Sequence, residues 1–269
     1  MDTTRLSRSD LERGRSGPAR RQEQIFEHVL QKGSVAAKEL TEIFDVSLMT
    51  VHRDLDELER QGLLRKMRGK VTVQASSFFE STVGYRLRSN SREKEALARF
   101  AFTQVEPGQS IIMDESTTVL PLAGLLHESV PLTVITNFRM VLEELRGVRG
   151  INLISLGGEY SPSYDSYFGV ICEQSLASLN VDVSFISTSA VSGTTTYHQH
   201  QHEVRVKRAM MEASDRKILL FDHTKLGKKA LHRLVPLEDF DLVVVDSGID
   251  EAHLKELREC PVPIEIVTV

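Results

Sequence analysis

The stretch Val46-Ser47-Leu48-Met49-Thr50-Val51-His52-Arg53-Asp54-Leu55-Asp56-Glu57-Leu58 decides how the chain is read. Val51, Leu55 and Leu58 recur at i, i+4 and i+7, the spacing that lines one face of an α-helix. Ser47 stands just ahead of the first turn, where a hydroxyl can accept an orphan amide hydrogen of the helix N-terminus. Gly62 ends the pattern. With the apolar stripe turned inward, Thr50 and Arg53 project from the first turns on the other side, with Met49 and His52 near them. That is the layout of a recognition helix, whose N-terminal residues meet base edges in a DNA major groove. Arginine can pair bidentately with guanine, and threonine can touch a thymine methyl or a phosphate.

The flanks support this reading. Ile25, Phe26, Val29 and Leu30 form an apolar helical stripe that Gly33 stops. A second helical pattern, 36–44, puts Leu40, Ile43 and Phe44 on one face, and Asp45-Val46 makes a short turn. After the third helix, residues 63–73 alternate as a short β-hairpin carrying Arg65, Lys66, Arg68 and Lys70. Those four cations suit a wing lying along the DNA backbone, where contacts are independent of sequence. Three short helices and a basic hairpin spell a winged helix-turn-helix over residues 20–74. A small helical module for protein contacts is the alternative. Residues 1–19 hold Arg5, Arg8, Arg13 and Arg15 without apolar periodicity and read as a flexible basic arm. Residues 1–75 carry 14 Lys and Arg against 12 Asp and Glu, whereas the remainder carries 19 against 26. The basic excess therefore sits only at the head.

Residues 75–90 are Ser-rich with scattered aromatics (Phe78, Phe79, Tyr85) and read as a linker. From 91 to 269 short apolar runs alternate with helical patterns. The runs fall at 110–113, 132–136, 151–156, 182–188, 217–221, 242–245 and 263–267. Helical patterns fall at about 93–105, 117–127, 137–147, 169–180, 202–214 and 249–258. This alternation predicts an α/β domain with a mainly parallel sheet. Ligands bind such sheets at the carboxyl ends of the strands. No run approaches the roughly 18 apolar residues of a membrane span. The first residues have no apolar segment of the kind that directs secretion. Cys172 and Cys260 lie far apart without metal-type spacing, which fits a reducing cytosol and a cytoplasmic protein.

The segment 46–55 resembles the "VS..TIRRDL" signature of the deoxyribose-operon repressor (DeoR) family of bacterial transcriptional regulators, and Leu58-Glu59-Arg60-Gln61-Gly62-Leu63-Leu64-Arg65 fits its continuation. The resemblance runs on through Arg92-Glu93-Lys94 and through Asp114-Glu115-Ser116-Thr117-Thr118, which is similar to the family's D-x-G-T-T loop. Thr136-Asn137, Gly157-Gly158 and Gly169 follow in order, and Asp222-His223-Thr224-Lys225 resembles D-S-S-K. Departures are His52 for the first Arg of the Arg-Arg pair, Met67-Arg68-Gly69-Lys70 for the wing's "HGG", Ser116 for Gly, Ser187-Thr188-Ser189-Ala190 for a Gly-containing stretch, and His223 for Ser.

The resemblance implies a regulator whose body is related in fold to ribose-5-phosphate isomerase and binds a phosphorylated sugar or related metabolite. It also implies a role as repressor of a carbohydrate operon. For DNA the expected residues are Ser47, Met49, Thr50, His52, Arg53, Arg65, Lys66, Arg68 and Lys70. For the effector they are Asp114, Ser116, Thr117, Thr118, Thr136, Asn137 and Lys225. Asp114 would accept from sugar hydroxyls. Ser116, Thr117 and Thr118 would open a helix running to about His127 and offer donors to phosphate, although the same hydroxyls also suit plain helix capping. Lys225 would supply the phosphate's counter-charge. An isomerase-like enzyme is the alternative, with Asp114, Glu115 or Glu203 as base. Neither a Walker A loop nor a dinucleotide fingerprint is present, and no cofactor is expected. His198, His200 and His202 alternate as metal ligands could, or as a solvated loop leading into a helix, and no metal is expected there. The helix from about His202 places Val206, Met210 and Ala213 on one side as core or subunit interface. Operator half-sites are usually read by symmetric dimers, so a dimer or tetramer is expected.

Overall fold

The computed structural model describes residues 17–60, 63–73 and 83–269. The arm at 1–16, Gly62, and linker residues 74–82 with Phe78 and Phe79 lie outside them. The chain divides into two compact units, with the boundary between Phe79 and Glu80.

The first unit contains α1 (Gly17–Lys32), β1 (Ser34–Ala36), α2 (Ala37–Phe44), α3 (Leu48–Arg60), β2 (Leu64–Met67) and β3 (Lys70–Val73). Gly33 follows α1 at φ 73°, a left-handed conformation that favours glycine. Asp45 takes a left-handed conformation after α2, and the Val46 N–H returns to the Thr41 carbonyl at 3.3 Å. Ile25, Phe26, Val29, Leu40, Val51, Leu55, Leu58, Leu64 and Val71 are buried. Asp54 is buried among them and accepts hydrogen bonds from Arg21 Nε at 2.6 Å and Gln22 Nε2 at 2.9 Å. The hairpin β2–β3 is antiparallel, and β1 adds a third strand on β3 that the alternation at 63–73 did not reveal.

The second unit begins with α4 (Val83–Arg88), a short helix inside the segment whose composition reads as linker. Scattered aromatics and serines hid it because six residues are too few to show a period. There follow α5 (Ser91–Phe102), β4 (Ser110–Met113), α6 (Leu120–Ala123), β5 (Leu132–Thr136), α7 (Arg139–Leu145), β6 (Ile151–Ser155), β7 (Glu159–Ser161) and β8 (Ser166–Phe168). The chain continues through α8 (Val170–Leu176), β9 (Val181–Ile186), β10 (Ala190–Ser192), β11 (Thr195–His198), α9 (Gln201–Glu212), β12 (Ser214–Phe221), β13 (His232–Pro236), β14 (Leu242–Asp246), α10 (Glu251–Arg258) and β15 (Ile264–Val267).

All seven apolar runs become strands of one parallel sheet, ordered β15-β14-β12-β9-β4-β5-β6. Its side chains alternate between two cores, as the period of two requires. Ile111, Met113, Ile218, Leu220 and Val244 pack with α5, α6 and α7. Ile112, Leu219, Phe221, Val243 and Val245 pack with α8, α9 and α10. The helix expected from Ser116 to His127 is instead a turn at 117–119, the four-residue α6 and a separate 3-10 turn at 126–128. Pro121 falls at the start of α6, where its missing N–H costs nothing.

Gly158 marks a close backbone approach. Its φ is 144°, and a Cβ there would stand 2.2 Å from the Phe168 carbonyl oxygen; at neighbouring Gly157 a Cβ meets nothing within 4 Å. Gly158→Ala should therefore lower stability by about 1–3 kcal/mol, the scale of a strained backbone position, while Gly157→Ala leaves it nearly unchanged. Equal unfolding midpoints for the two variants in urea would contradict this.

Candidate functional site: the recognition face and the carboxyl edge of the sheet

In the first unit the N-terminus of α3 is built as the sequence requires. Ser47 Oγ accepts the Thr50 N–H at 3.2 Å and lies 2.9 Å from Thr50 Oγ1. The Thr50 hydroxyl is thus partly engaged by the cap. Met49 is 73% exposed, and His52 and Arg53 are exposed while Val51 and Leu55 are buried. Arg65, Arg68 and Lys70 are exposed on the hairpin. Lys66 differs: its ammonium pairs with Asp56, lies 3.7 Å from Glu59, and is half-buried. Two carboxylates of α3 therefore compete with a DNA phosphate for it.

In the second unit each central strand hands over to polar residues at its carboxyl end. Asp114 follows β4, Asn137 follows β5, Ser187 and Thr188 follow β9, Asp222 follows β12, and Asp246 ends β14; all are buried. Lys207, on α9, is the cation that reaches the end of β4. Its ammonium pairs with Asp114 and lies 3.0 Å from Glu115. Burial opposes its charge, but Asp114 and Glu115 raise it above the ordinary lysine value. Asp114 also accepts the Ser187 N–H at 2.7 Å and the Ser116 N–H at 3.0 Å. Ser116 Oγ in turn accepts the Val119 N–H at 3.2 Å. Thr117 and Thr118 are buried in the same turn. Thr136 Oγ1 accepts the Phe138 N–H at 3.0 Å. Asn137 Nδ2 donates to the Tyr167 carbonyl at 3.0 Å, and its Oδ1 is buried without a partner among the described residues.

The structure thus brings Asp114, Ser116 and Asn137 together around Glu115 and Lys207. Lys225 is not in that group. It follows β12, and β9 lies between β12 and β4. Two strand spacings are about 10 Å. Lys225 neighbours Lys94 and Asp222 instead. Burial, with the cations Lys225 and Arg86, outweighs Asp222 and brings the Lys94 ammonium down to about 7.

Glu203 begins α9 and caps it, taking the His200 N–H at 3.2 Å. It also accepts from the Tyr164 hydroxyl at 3.0 Å and lies 3.4 Å from His198. Burial would raise this carboxyl, but His198, Arg86 and Lys207 prevail and hold it at about 2. The three alternating histidines do not share one strand face. His198 ends β11 and lies 3.0 Å from Ser189 Oγ, while His200 stacks on His202 at 5.3 Å between centroids. Among the described residues no group of three or more His, Cys, Asp or Glu is placed to hold a metal ion.

Lys207, Arg86 and Tyr164 were not singled out from the sequence, and Lys94 entered only through the resemblance carried by Arg92-Glu93-Lys94. Lys207 had one available signal: it adjoins Val206 on the stripe that runs from Glu203 to Met210, so it faces the core side of α9.

Residues 21–77 match the family model of the DeoR-like helix-turn-helix domain, and residues 89–247 match that of the DeoR C terminal sensor domain. The chain belongs to the DeoR family of DNA-binding transcriptional regulators. It is similar to the transcriptional repressor AccR of Agrobacterium fabrum, at 32% identity over 85% of this chain and 89% of that protein. It is also similar to the L-fucose operon activator of Haemophilus influenzae, at 30% identity over 86% of this chain and 93% of that one. Among solved structures, ribose 5-phosphate isomerase A of Methanocaldococcus jannaschii aligns at 16% identity and a TM-score of 0.37, covering 51% of this chain and 55% of that chain. No helix among the described residues is long and apolar enough to cross a membrane.

Two outcomes follow from this geometry. Arg53→Ala should cost about 1–3 kcal/mol on a specific operator and relax base preference at one position. Fluorescence anisotropy on a set of single-base operator variants measures both, and unchanged affinity with the fold intact would remove Arg53 from the reading face. The second outcome concerns pH. With Lys94 at about 7 in the folded state against 10.5 ordinarily, the unfolded chain binds more protons above pH 7, so this group makes stability rise with pH. Cys172, pushed up to about 12 from 9.0, opposes it only above pH 9. Between pH 7 and 9, Lys94→Met should flatten the rise in unfolding midpoint; an unaltered slope would show that Lys94 keeps its proton.

Proposed function

We propose that this chain represses a carbohydrate operon and that a phosphorylated sugar, bound at the carboxyl edge of the sheet, controls it. In this reading residues 20–74 read the operator through Ser47, Met49, Thr50, His52 and Arg53. Arg65, Arg68, Lys70 and, where it escapes Asp56, Lys66 lie on the backbone. Residues 75–90 connect, and residues 91–269 sense and assemble. The observation that carries the sensor reading is the buried cluster of Lys207, Asp114 and Glu115, with Asn137 Oδ1 left without a partner among the described residues. Sugar hydroxyls supply both donors and acceptors and suit such a mixed set. The phosphate extends toward Lys225, with Thr117 and Thr118 on its path. The likeness to an L-fucose operon activator supports a carbohydrate pathway.

The site senses and does not turn over its ligand. Asp114 and Glu115, candidates for a base, share one ammonium, and Glu203 is occupied by Tyr164 and His198. Held at about 2, Glu203 is poor at taking up a proton. The protein works in the cytoplasm as a homodimer or homotetramer, since two-fold operators are matched by two-fold proteins. The effector acts by binding one arrangement of the subunits better than the other.

A thermal-shift panel of sugar phosphates and their parent sugars tests this, followed by operator titration with any hit. A phosphorylated sugar should raise the midpoint more than its parent and should shift operator affinity by about 5–150-fold. Lys225→Ala should lose that response, and titration without ligand separates lost response from lost DNA binding. Equal stabilisation by sugar and sugar phosphate, or a normal response in Lys225→Ala, would refute the phosphate assignment.

A further inference from the structure

Arg86 occupies an unusual position for a linker residue. It lies on α4, and its guanidinium carbon stands 4.9 Å from the Tyr164 ring centroid. Its Nε and Nη2 are buried and have no partner among the described residues. The carboxylate that acts on it, Glu203, is already held by the Tyr164 hydroxyl, the His200 N–H and His198. A buried guanidinium with unsatisfied N–H groups is costly, and such groups in folded proteins call for a missing partner.

The surroundings say what that partner is. Lys94 is buried, donates to the Arg86 carbonyl, and is depressed in charge by both Arg86 and Lys225. Lys94 thus feels two cations from other segments, Arg86 and Lys225, together with Asp222 and Glu93. One Asp222 oxygen accepts from Thr224 N at 3.1 Å and Asn90 Nδ2 at 3.0 Å, and the other, Oδ2, is buried without a partner among the described residues. Asp222 and Glu93 oppose the cations around Lys94, and Glu203 faces Arg86, yet none of these carboxylates takes the Arg86 Nε and Nη2 donors among the described residues. A guanidinium fork and two ammonium groups match the peripheral oxygens of a tetrahedral dianion, which can accept from all three together. A monovalent carboxylate has fewer oxygens and less charge to offer.

We propose that Arg86 is a ligand-binding residue of α4, and that with Lys94 and Lys225 it holds the phosphate end of the effector. The proposal rests on the reading of the second unit as a sugar-phosphate sensor and adds its consequence. Because α4 opens the second unit, ligand binding would fix the start of that unit directly.

The test uses the full chain and inorganic phosphate, with chloride at matched ionic strength and acetate as controls. Phosphate should raise the unfolding midpoint of the wild type beyond both controls and slow hydrogen exchange in peptides spanning 83–88. Arg86→Gln should weaken phosphate binding by about tenfold or more, the loss of a charge-assisted hydrogen bond. Arg86→Lys, which keeps the charge and loses the fork, should recover part of it. No phosphate-specific shift in the wild type, equal stabilisation by acetate, or wild-type phosphate affinity in Arg86→Gln would overturn the proposal. Protection at 114–119 without protection at 83–88 would overturn it too. If phosphate binding depends on Arg86 while sugar phosphates leave operator affinity unchanged, the anion site stands and the effector reading falls.

Discussion

One ammonium group organises the sensing unit. Lys207 leaves α9 between Val206 and Met210, which pack in the core on one face of the sheet, and meets Asp114 and Glu115 beyond the end of β4. Taking three charges out of water costs several kcal/mol per ion, and attraction offsets this only where geometry is good and the remaining lone pairs are filled. Ser187 N–H and Ser116 N–H fill those of Asp114. The loop after β4, the loop after β9 and the face of α9 are thereby tied at one carboxylate. This is also why Ser116 does not start a long helix: its amide and hydroxyl both turn back to Asp114.

The DNA-binding unit uses the same device on a smaller scale. Asp54 stands on the buried side of α3 and is satisfied by Arg21 and Gln22 of α1. That pairing fixes the rotation of α3 about its axis, together with the stripe of Val51, Leu55 and Leu58. Rotation decides function here, because turning the helix by one residue, about 100°, would swap the exposed Arg53 with a core position. Pairing within the unit also trims the wing. With Lys66 engaged by Asp56 and Glu59, the positive field of the hairpin comes from Arg65, Arg68 and Lys70.

What the sequence made legible follows the strength of its periods. Each of the seven strands of the parallel sheet is an apolar run, and burial on both faces makes the central ones conspicuous. The small strands β1, β7, β8, β10, β11 and β13 are three to five residues long and mix polar with apolar residues, so no period marks them. The family motifs pointed to Asp114 and Asn137 because both follow strands directly. Lys207 escaped notice since a lysine four residues after a glutamate on a helix ordinarily reads as a solvated pair. Here both Glu203 and Lys207 are buried and each has found other partners. Arg86 escaped because the segment around it has the composition of a linker. Lys225 was correctly placed at a strand end, but strand order, which decides its neighbours, is not written in any local pattern.

The unliganded site is unevenly satisfied, and this bears on how it can act as a switch. Around Lys207 every charge has a partner. Toward α4 the balance fails: Arg86 Nε and Nη2 and Asp222 Oδ2 are buried without partners among the described residues, as is Asn137 Oδ1 near Glu115. A ligand shifts a conformational equilibrium only by its differential affinity for the two states. A fully satisfied site would offer a ligand little beyond exchange of one partner for another. A site holding unsatisfied donors and acceptors gains their full desolvation deficit when they are matched, and it gains it only in the arrangement that brings them together. The fully paired part of the edge therefore keeps the fold, and the unpaired part beside it is where binding free energy can be turned into a change of state.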